Sequence, residues 1–437
     1  MSTAYDAVPG TCRPKEQTMT AARRVMARCD ELAQISALRG ADGKAQGILR
    51  AYLTEEHRRH NALAGRWMQE AGMTTWQDAA GNQCGRIEGR TPGLPALMLA
   101  SHLDTVPHAG RYDGILGVLT AIETVRSLAP QADQLPFALE VAAFADEEGT
   151  RFGATLLGSR AMAGTWDPQW WELADEQGIT MAEAFEDFGL DPCRIGEAAR
   201  AREDLVGYLE AHIEQGPYLE EAGRPLGIVS SIAGARRFRV SIHGEARHAG
   251  GTPYARRQDA LIGASQAVLE IERIGIEKQA IATVGQMSTH PGAVNVVPGR
   301  ADFSVDLRAE TDTLRDAAWG AMESAITGFC ADRGLQLQVE EIHAAPTVFC
   351  AEPLVAAIAA GITEAGDPEP MRLFSRAGHD AMAMAEITGI GMLFTRCHDG
   401  ISHHPDESVT EADVASTLQA LQHAVLSLAA GRGGDQP

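Results

Sequence analysis

Four short stretches carry side chains whose types and spacing could do chemistry together. Ser101–Gly117, SHLDTVPHAGRYDGILG, supplies His102, Asp104 and Asp113. Asp146-Glu147-Glu148-Gly149 supplies three consecutive acids, His212-Ile213-Glu214-Gln215 an imidazole, and Ile401-Ser402-His403-His404-Pro405 another. Imidazoles and carboxylates without thiolate, with one Asp shared, form a donor set suited to two divalent cations a few ångströms apart. The chemistry this implies is hydrolysis by an activated water, with Glu147, beside the donor Glu148, placed to accept its proton. Hard oxygen and borderline nitrogen donors accommodate Zn²⁺, Mn²⁺, Co²⁺ or Ni²⁺, and the residue types do not choose among them.

Each stretch follows an apolar run, and that pattern says what must position it. Leu97–Ala100 reads as a buried strand, Gly114–Ser127 as a helix and Leu139–Ala145 as a second strand, a βαβ unit with acids at both strand ends. Leu205–Ala211 is a further strand leading to His212. Open α/β sheets put their chemistry at the carboxyl ends of such strands. Within the first stretch, Asp104 stands two residues from His102, where an extended chain would set it behind the ring and fix its tautomer. Three acids at a buried strand end demand positive compensation, which a metal would provide.

Helical patterning covers Thr18–Ile35 and Thr54–Gly72, with Thr54 as cap, and a hairpin is expected between Met73 and Gly89 around Gly81-Asn82. Trp166–Ala201 is a loop-rich excursion whose tryptophans, Trp166, Trp170 and Trp171, suit covering the core. From Gly227 the order becomes strand (Arg237–His243), helix (Ala255–Ile274), strands (Ile281–Ser288, Ala301–Arg308), helix (Thr311–Arg333), strand (Leu335–Ile342), the signature of a ferredoxin-like domain. Gly389–Phe394 and Thr410–Ala430 then return to strand and helix. The expected architecture is α/β: a catalytic domain with a central mixed sheet flanked by helices, made of residues 1–226 and 345–437, and an inserted α+β domain at 227–344.

At 437 residues the chain exceeds what one hydrophobic core normally serves, which agrees with two domains. Its net charge of -22 argues against nucleic acid or an anionic membrane as partner, without excluding a small anionic substrate. Seven cysteines, odd in number and without a C-x-x-C pair, suit reduced thiols and a cytoplasmic enzyme. The first 17 residues read as a loose tail.

The runs SHLDTVPHAGRYDGILGVL, DEEGTRFGATLLGSRA, HIEQGPYLE, HAGGTPYARRQDA, PGAVNVVPGRADFSVDLR, AGHDAMAMA and GISHHPDE, in this order from about residue 97 to 407, resemble the amidase, hydantoinase and carbamoylase branch of the dinuclear aminoacylase and carboxypeptidase superfamily. The resemblance implies His102, Asp113 (bridging) and His212 as ligands of one pairing, and Glu148 and His403 of the other. It implies Glu147 as general acid/base, aided by Asp104, and His248 as oxyanion stabiliser reaching a partner subunit's site. Gln215, Asn295 and Arg308 would hold the substrate's ureido and carboxylate groups, with Gly378 and His379 completing the carboxylate pocket. The inserted domain would be a lid and dimerisation module, and the peptide after Asp113 would be cis.

Two residues depart from the branch pattern: Arg376 stands where a Gly is usual, and Gly251 where a Thr is usual. Phe394-Thr395-Arg396-Cys397 with AGHDAMAMA resembles the allantoate amidohydrolases, Arg396 suiting the polar second ureido arm of allantoate. The alternatives within the branch are N-carbamoyl-L-amino-acid hydrolase and β-ureidopropionase. Beyond it stand a superfamily N-deacylase or peptidase and a non-catalytic binding homologue.

Overall fold

The computed structural model describes residues 15–40 and 46–433. Of the expected tail, residues 1–14 lie outside the described residues, while Lys15 to Gln17 already open the helix Lys15–Ala33. The described residues form two compact units: those up to Ser230, with 350–373 and 379 onward, and 231–349 with 374–378.

In chain order, the strands leading into the first unit's sheet are β1 (Thr74–Gln77), β2 (Gln83–Ile87), β3 (Ala96–His102), β4 (Ala138–Phe144), β5 (Leu205–Ile213) and β6 (Leu226–Ile232). Those of the inserted segment are β7 (Gly234–His243), β8 (Arg247–His248), β9 (Ile281–Thr283), β10 (Met287–His290), β11 (Val296–Val297), β12 (Arg300–Ala309), β13 (Gln336–Ala345) and β14 (Val348–Phe349). Last come β15 (Met371–Ser375) and β16 (Ile390–Thr395).

The main sheet runs β1-β2-β4-β3-β5-β16-β6, with β15 also paired to β6. It is mixed: β4, β3, β5 and β16 are parallel neighbours, while β1–β2, β2–β4 and β16–β6 are antiparallel. Every residue of β3 and of β4 is buried, as central parallel strands covered on both faces must be. The helices Lys15–Ala33, Ile115–Leu128, Glu352–Glu364 and Glu411–Gly433 pack together as one covering layer.

β3 and β5 both run further than the apolar runs suggest, so that His102 and His212 are themselves strand residues. Registers His102↔Phe144 and His212↔Phe394 align these strand ends at one edge of the sheet. The three tryptophans of the excursion pack against a small core of Tyr52, Phe152, Phe185 and Phe188.

The chain leaves and returns to the first unit four to six residues beyond the positions 226 and 344 expected from sequence. The reason is a ladder: β6 continues to Ile232, where β14 pairs with it through Val348↔Ile232. In the second unit an antiparallel sheet, β10-β12-β7-β13 with β9 beside β12, carries the helices Ala260–Lys278 and Asp312–Asp332. Phe238, Val240 and Ile242 of β7 and Phe303, Val305 and Leu307 of β12 face these helices, and Phe238 stacks on Trp319 with centroids 3.5 Å apart. The alternate residues carry charge, with Arg237 to Asp306 at 2.8 Å and Arg239 to Glu340 at 2.6 Å.

The helix Glu55–Glu70 begins at Thr54, whose side chain accepts the His57 N–H. The His57 ring is buried, stacks on Phe188 at 4.7 Å, and takes the Leu53 N–H on Nδ1 at 3.0 Å, which leaves the neutral Nε2–H form facing Gly81 O at 3.1 Å. Burial lowers its pKa to about 4. Its contribution to stability is therefore complete above the unfolded value near 6.5 and is lost as pH falls toward 4, on the order of 3 kcal/mol. Urea unfolding midpoints are expected to fall between pH 7 and pH 4.5, and to fall less in His57→Gln.

Candidate metal centre

Asp113 is buried, and each of its oxygens faces a different group. Oδ1 lies 3.1 Å from His212 Nε2 and 3.7 Å from His102 Nε2. Oδ2 lies 3.1 Å from His403 Nε2 and accepts hydrogen bonds from Gln215 Nε2 and Ser402 Oγ, both at 2.9 Å. His403 Nε2 is in turn 3.4 Å from Glu148. Ligand atoms of His102, Asp113 and His212 lie within 4.8 Å of one another, as do those of Asp113, Glu148 and His403, and those of His102, Glu147 and Glu148. All five expected ligands thus meet around one carboxylate.

Backbone geometry aims each donor. His212 turns Nδ1 to Ile213 O at 2.9 Å, leaving Nε2 for Asp113. His403 sits in the left-handed region with φ 54° and is half-exposed. Gly114 makes the turn after Asp113, with φ 70° and ψ −48° and the Ile115 N–H bonded to Asp113 O at 2.8 Å, a γ-turn. Among the described residues the cis peptide is His290-Pro291, so the cis bond expected after Asp113 is absent.

Asp104 does stand behind the His102 ring, but with its backbone: His102 Nδ1 lies 3.2 Å from Asp104 O, which leaves Nε2 for Asp113. The Asp104 carboxylate accepts the N–H groups of Glu147 and Glu148 at 3.0 and 3.1 Å, while its distance to His102 Nδ1 is 3.6 Å, beyond hydrogen-bond length. The chain has left the strand at His102, so the two-residue periodicity no longer applies. The Asp104 side chain instead ties the β3 end to the acidic turn after β4.

The charge balance supports a cation. Among the described residues, the ion-pair partners of Asp113 and Glu148 are imidazoles, with no ammonium or guanidinium. Burial, then the charges of Asp113 and other neighbours, push Glu148 up to about 7. Burial above all raises Glu147 as well, while the Asp113 bond raises His403 to about 9. Asp146, at φ 60°, is buried with carboxylate oxygens that have no hydrogen-bond partner among the described residues. This excess of buried acid gathered beside imidazoles fits divalent cations.

The other expected site residues divide between the units. Gln215 spends its amide N–H on Asp113 and on Ser402 Oγ. His379 is buried edge-on against His212, ring centroids 4.5 Å apart, with its pKa lowered chiefly by burial and a ligand atom near Glu210. His248, Asn295, Arg308 and Gly378 belong to the second unit. There His248 on β8 pairs with Val296 on β11, its Nδ1 takes the Gly251 N–H at 3.0 Å, and Asn295 O accepts the Ala249 N–H. The Gly251 position therefore braces the His248 ring through its backbone. Arg308 donates to Asp306 at 2.7 Å and to Arg376 O at 2.8 Å, and the Arg376 guanidinium lies over Phe374 at 4.3 Å.

Sequence reasoning missed Glu210, Ser402 and Glu407. Glu210 is buried on β5, where it accepts from Ser101 Oγ and Tyr208 OH, each at 2.9 Å. Its signal was a lone acid two residues before His212 in an otherwise apolar strand.

A mixed α/β sheet with imidazole and carboxylate donors gathered at the carboxyl edge of its parallel strands is an arrangement suited to metal-assisted hydrolysis. The pattern of peptidase family M20/M25/M40 matches residues 98–427, and the chain belongs to that family. An N-carbamoyl-L-amino acid amidohydrolase of Geobacillus stearothermophilus is 41% identical over 389 residues, covering 88% of this chain and 94% of its own. A probable allantoate deiminase of Oryza sativa subsp. japonica is 38% identical over 428 residues, covering 90% of this chain and 86% of its own. Among solved structures, a hydantoinase/carbamoylase family amidase from Burkholderia multivorans superposes with TM-score 0.84 at 34% identity, covering 93% of this chain and 98% of that one. The chain is accordingly an amidohydrolase acting on carbon–nitrogen bonds.

A Cβ at position 114 would lie 2.4 Å from the His102 ring. Gly114→Ala is expected to lower stability by about 1–3 kcal/mol, through its positive φ, and to depress kcat/KM by displacing His102. Thermal unfolding of chelator-treated protein, read beside the kinetics, separates the two effects.

Proposed function

We propose that this chain hydrolyses the carbamoyl C–N bond of a small ureido acid at a pair of divalent cations, with Zn²⁺ or Mn²⁺ as first choices and Co²⁺ or Ni²⁺ also compatible with the donors. The observation that carries this reading is Asp113, whose two oxygens face two separate groups of donors. His102 and His212 would hold one cation with Asp113, and Glu148 and His403 the other. Bound there, the cations supply Lewis acidity and bring the pKa of a water to roughly 7. Glu147, its backbone anchored on Asp104, accepts the proton of the attacking water and returns it to the leaving nitrogen.

The substrate's carboxylate is assigned to Arg308. Asp306 and Arg376 O occupy Nε and part of the Nη edge, so the guanidinium is oriented before substrate arrives. Asn295 and Gln215 are assigned to the ureido group, Gly378 and His379 to the carboxylate pocket, and His248 to the oxyanion. The inserted segment is read as a lid and homodimer module. Ile262, Leu269 and Ile276, exposed at seven-residue spacing along the helix Ala260–Lys278, support a second copy as its partner. Six described cysteines are free, five of them buried, which supports a cytoplasmic setting. No described helix is long and apolar enough to cross a membrane.

Two ureido acids compete as substrate. Arg396, expected to favour allantoate, instead forks onto the buried Asp413 carboxylate at 2.9–3.1 Å. With that cation engaged, an N-carbamoyl-L-amino acid stands first, supported by the identity to the Geobacillus enzyme. Allantoate stands second, supported by the 38% identity to the rice deiminase. Purified protein reconstituted with Mn²⁺ or Zn²⁺ is expected to turn over N-carbamoyl-L-methionine with higher kcat/KM than allantoate. The opposite order would restore allantoate, and turnover only of acyl amino acids or dipeptides would overturn the ureido reading. Glu147→Gln is expected to lower kcat about 10²–10⁴-fold with little change in KM, measured by ammonia release on the preferred substrate.

A further inference from the structure

Glu407 lies outside every role given so far, yet its side chain is buried in the framework of the centre. It follows His403 by four residues, and its own N–H closes a turn onto His404 O at 3.1 Å. From there the carboxylate reaches across to a segment almost three hundred residues earlier. Oε1 accepts two backbone N–H groups, from Tyr112 at 2.7 Å and Asp113 at 3.1 Å. Oε2 lies 3.0 Å from Ser402 Oγ, the hydroxyl that also faces Asp113 Oδ2 at 2.9 Å.

The fit is tight. At Gly110 a Cβ would stand 2.3 Å from the Cβ, Cδ and Oε1 of Glu407, so the carboxylate lies flat against a bare backbone. One side chain therefore joins the turn that carries Asp113 to the loop that carries His403. Both loops lack the sheet's hydrogen bonds, and His403 holds a left-handed φ. The other contacts between them run through side-chain tips, Ser402 Oγ and Gln215 Nε2 on Asp113 Oδ2, whereas Glu407 holds the Asp113 turn by its backbone.

Resting on the metal reading above, we propose that Glu407 is a positioning residue that sets the spacing of Asp113 and His403 and thereby the affinity of the cation they share. Ser402 is the intermediate contact, since its hydroxyl touches both carboxylates. His102 and His212, held on strands, do not depend on Glu407. The two cations should then differ in their response to its loss.

The test titrates chelator-stripped protein with Zn²⁺ against a chromophoric chelator, and records Co²⁺ absorption spectra of the same variants. Wild type is expected to bind two ions. Glu407→Ala should weaken one of them about 10–100-fold, the range seen when an outer hydrogen-bond partner of a ligand is removed, and weaken the other, which keeps His102 and His212 and shares only Asp113, by clearly less. Glu407→Gln, which keeps the length and the acceptor for Tyr112 and Asp113, should recover most of the loss. If Glu407→Ala does not fold, Glu407→Asp, one methylene short, should show the same selective weakening. Two wild-type affinities in Glu407→Ala or Glu407→Asp would overturn the proposal for Glu407 alone. Absence of cation binding by the wild-type protein would instead overturn the metal reading on which it rests.

Discussion

A carboxylate without water around it is expensive to keep ionised, and Asp113 is surrounded by protein on every side. What compensates it is a ring of partners drawn from three parts of the chain: two strand-borne imidazoles, one loop-borne imidazole, a side-chain amide and a hydroxyl. Burial raises its pKa, but the facing imidazoles of His102, His212 and His403 outweigh that and hold it well below the ordinary carboxylate range. Much of the first unit can be understood as the scaffolding that brings those partners to within hydrogen-bond or ligand distance of two oxygens. The γ-turn at Gly114 then sends the chain directly into the helix Ile115–Leu128, beneath the sheet's carboxyl edge.

Two kinds of support coexist around this carboxylate. His102 and His212 stand on neighbouring parallel strands, β3 buried throughout and β5 everywhere but Val206, where ladder hydrogen bonds and side-chain packing leave little freedom. Glu147, Glu148 and His403 stand on loops, and each loop is tied back by a carboxylate from elsewhere. Asp104 grips the backbone of Glu147 and Glu148, and Glu407 joins the His403 loop to the Asp113 turn. Acidic side chains serve here as crosslinks because a single carboxylate can accept two backbone N–H groups at once. The acids of the site are thus of two sorts, donors that face the centre and braces that face away from it.

Charge in the second unit is arranged on similar lines. One face of its sheet is apolar and covered by two helices, and the other is a lattice of ion pairs in which Asp306 serves both Arg237 and Arg308. An arginine with its Nε end already bonded keeps its remaining N–H groups in a fixed direction. Arg376, the departure from the branch pattern, contributes through its carbonyl to that same arginine, and its own guanidinium stacks on Phe374. Arg396 is likewise held by an acid, joined to Asp413 in the first turn of the closing helix.

Residue types and their order along the chain were enough to determine the α/β class, the mixed sheet and the five candidate ligands. Strong apolar runs mark buried strands, and polar groups immediately after such runs must lie at strand ends, so no knowledge of pairing was required. Pairing was nevertheless what tertiary structure alone could decide. That Asp104 meets His102 with its carbonyl and the next strand's turn with its carboxylate depended on where β3 ended, which local patterning does not specify to the residue. The turn at Gly114, the diversion of Arg396 to Asp413 and the reach of Glu407 to Tyr112 and Asp113 involve conformations or partners distant in sequence. A side chain's type says what bonds it can form, but which groups come within 3 Å of it depends on the packing of the whole fold.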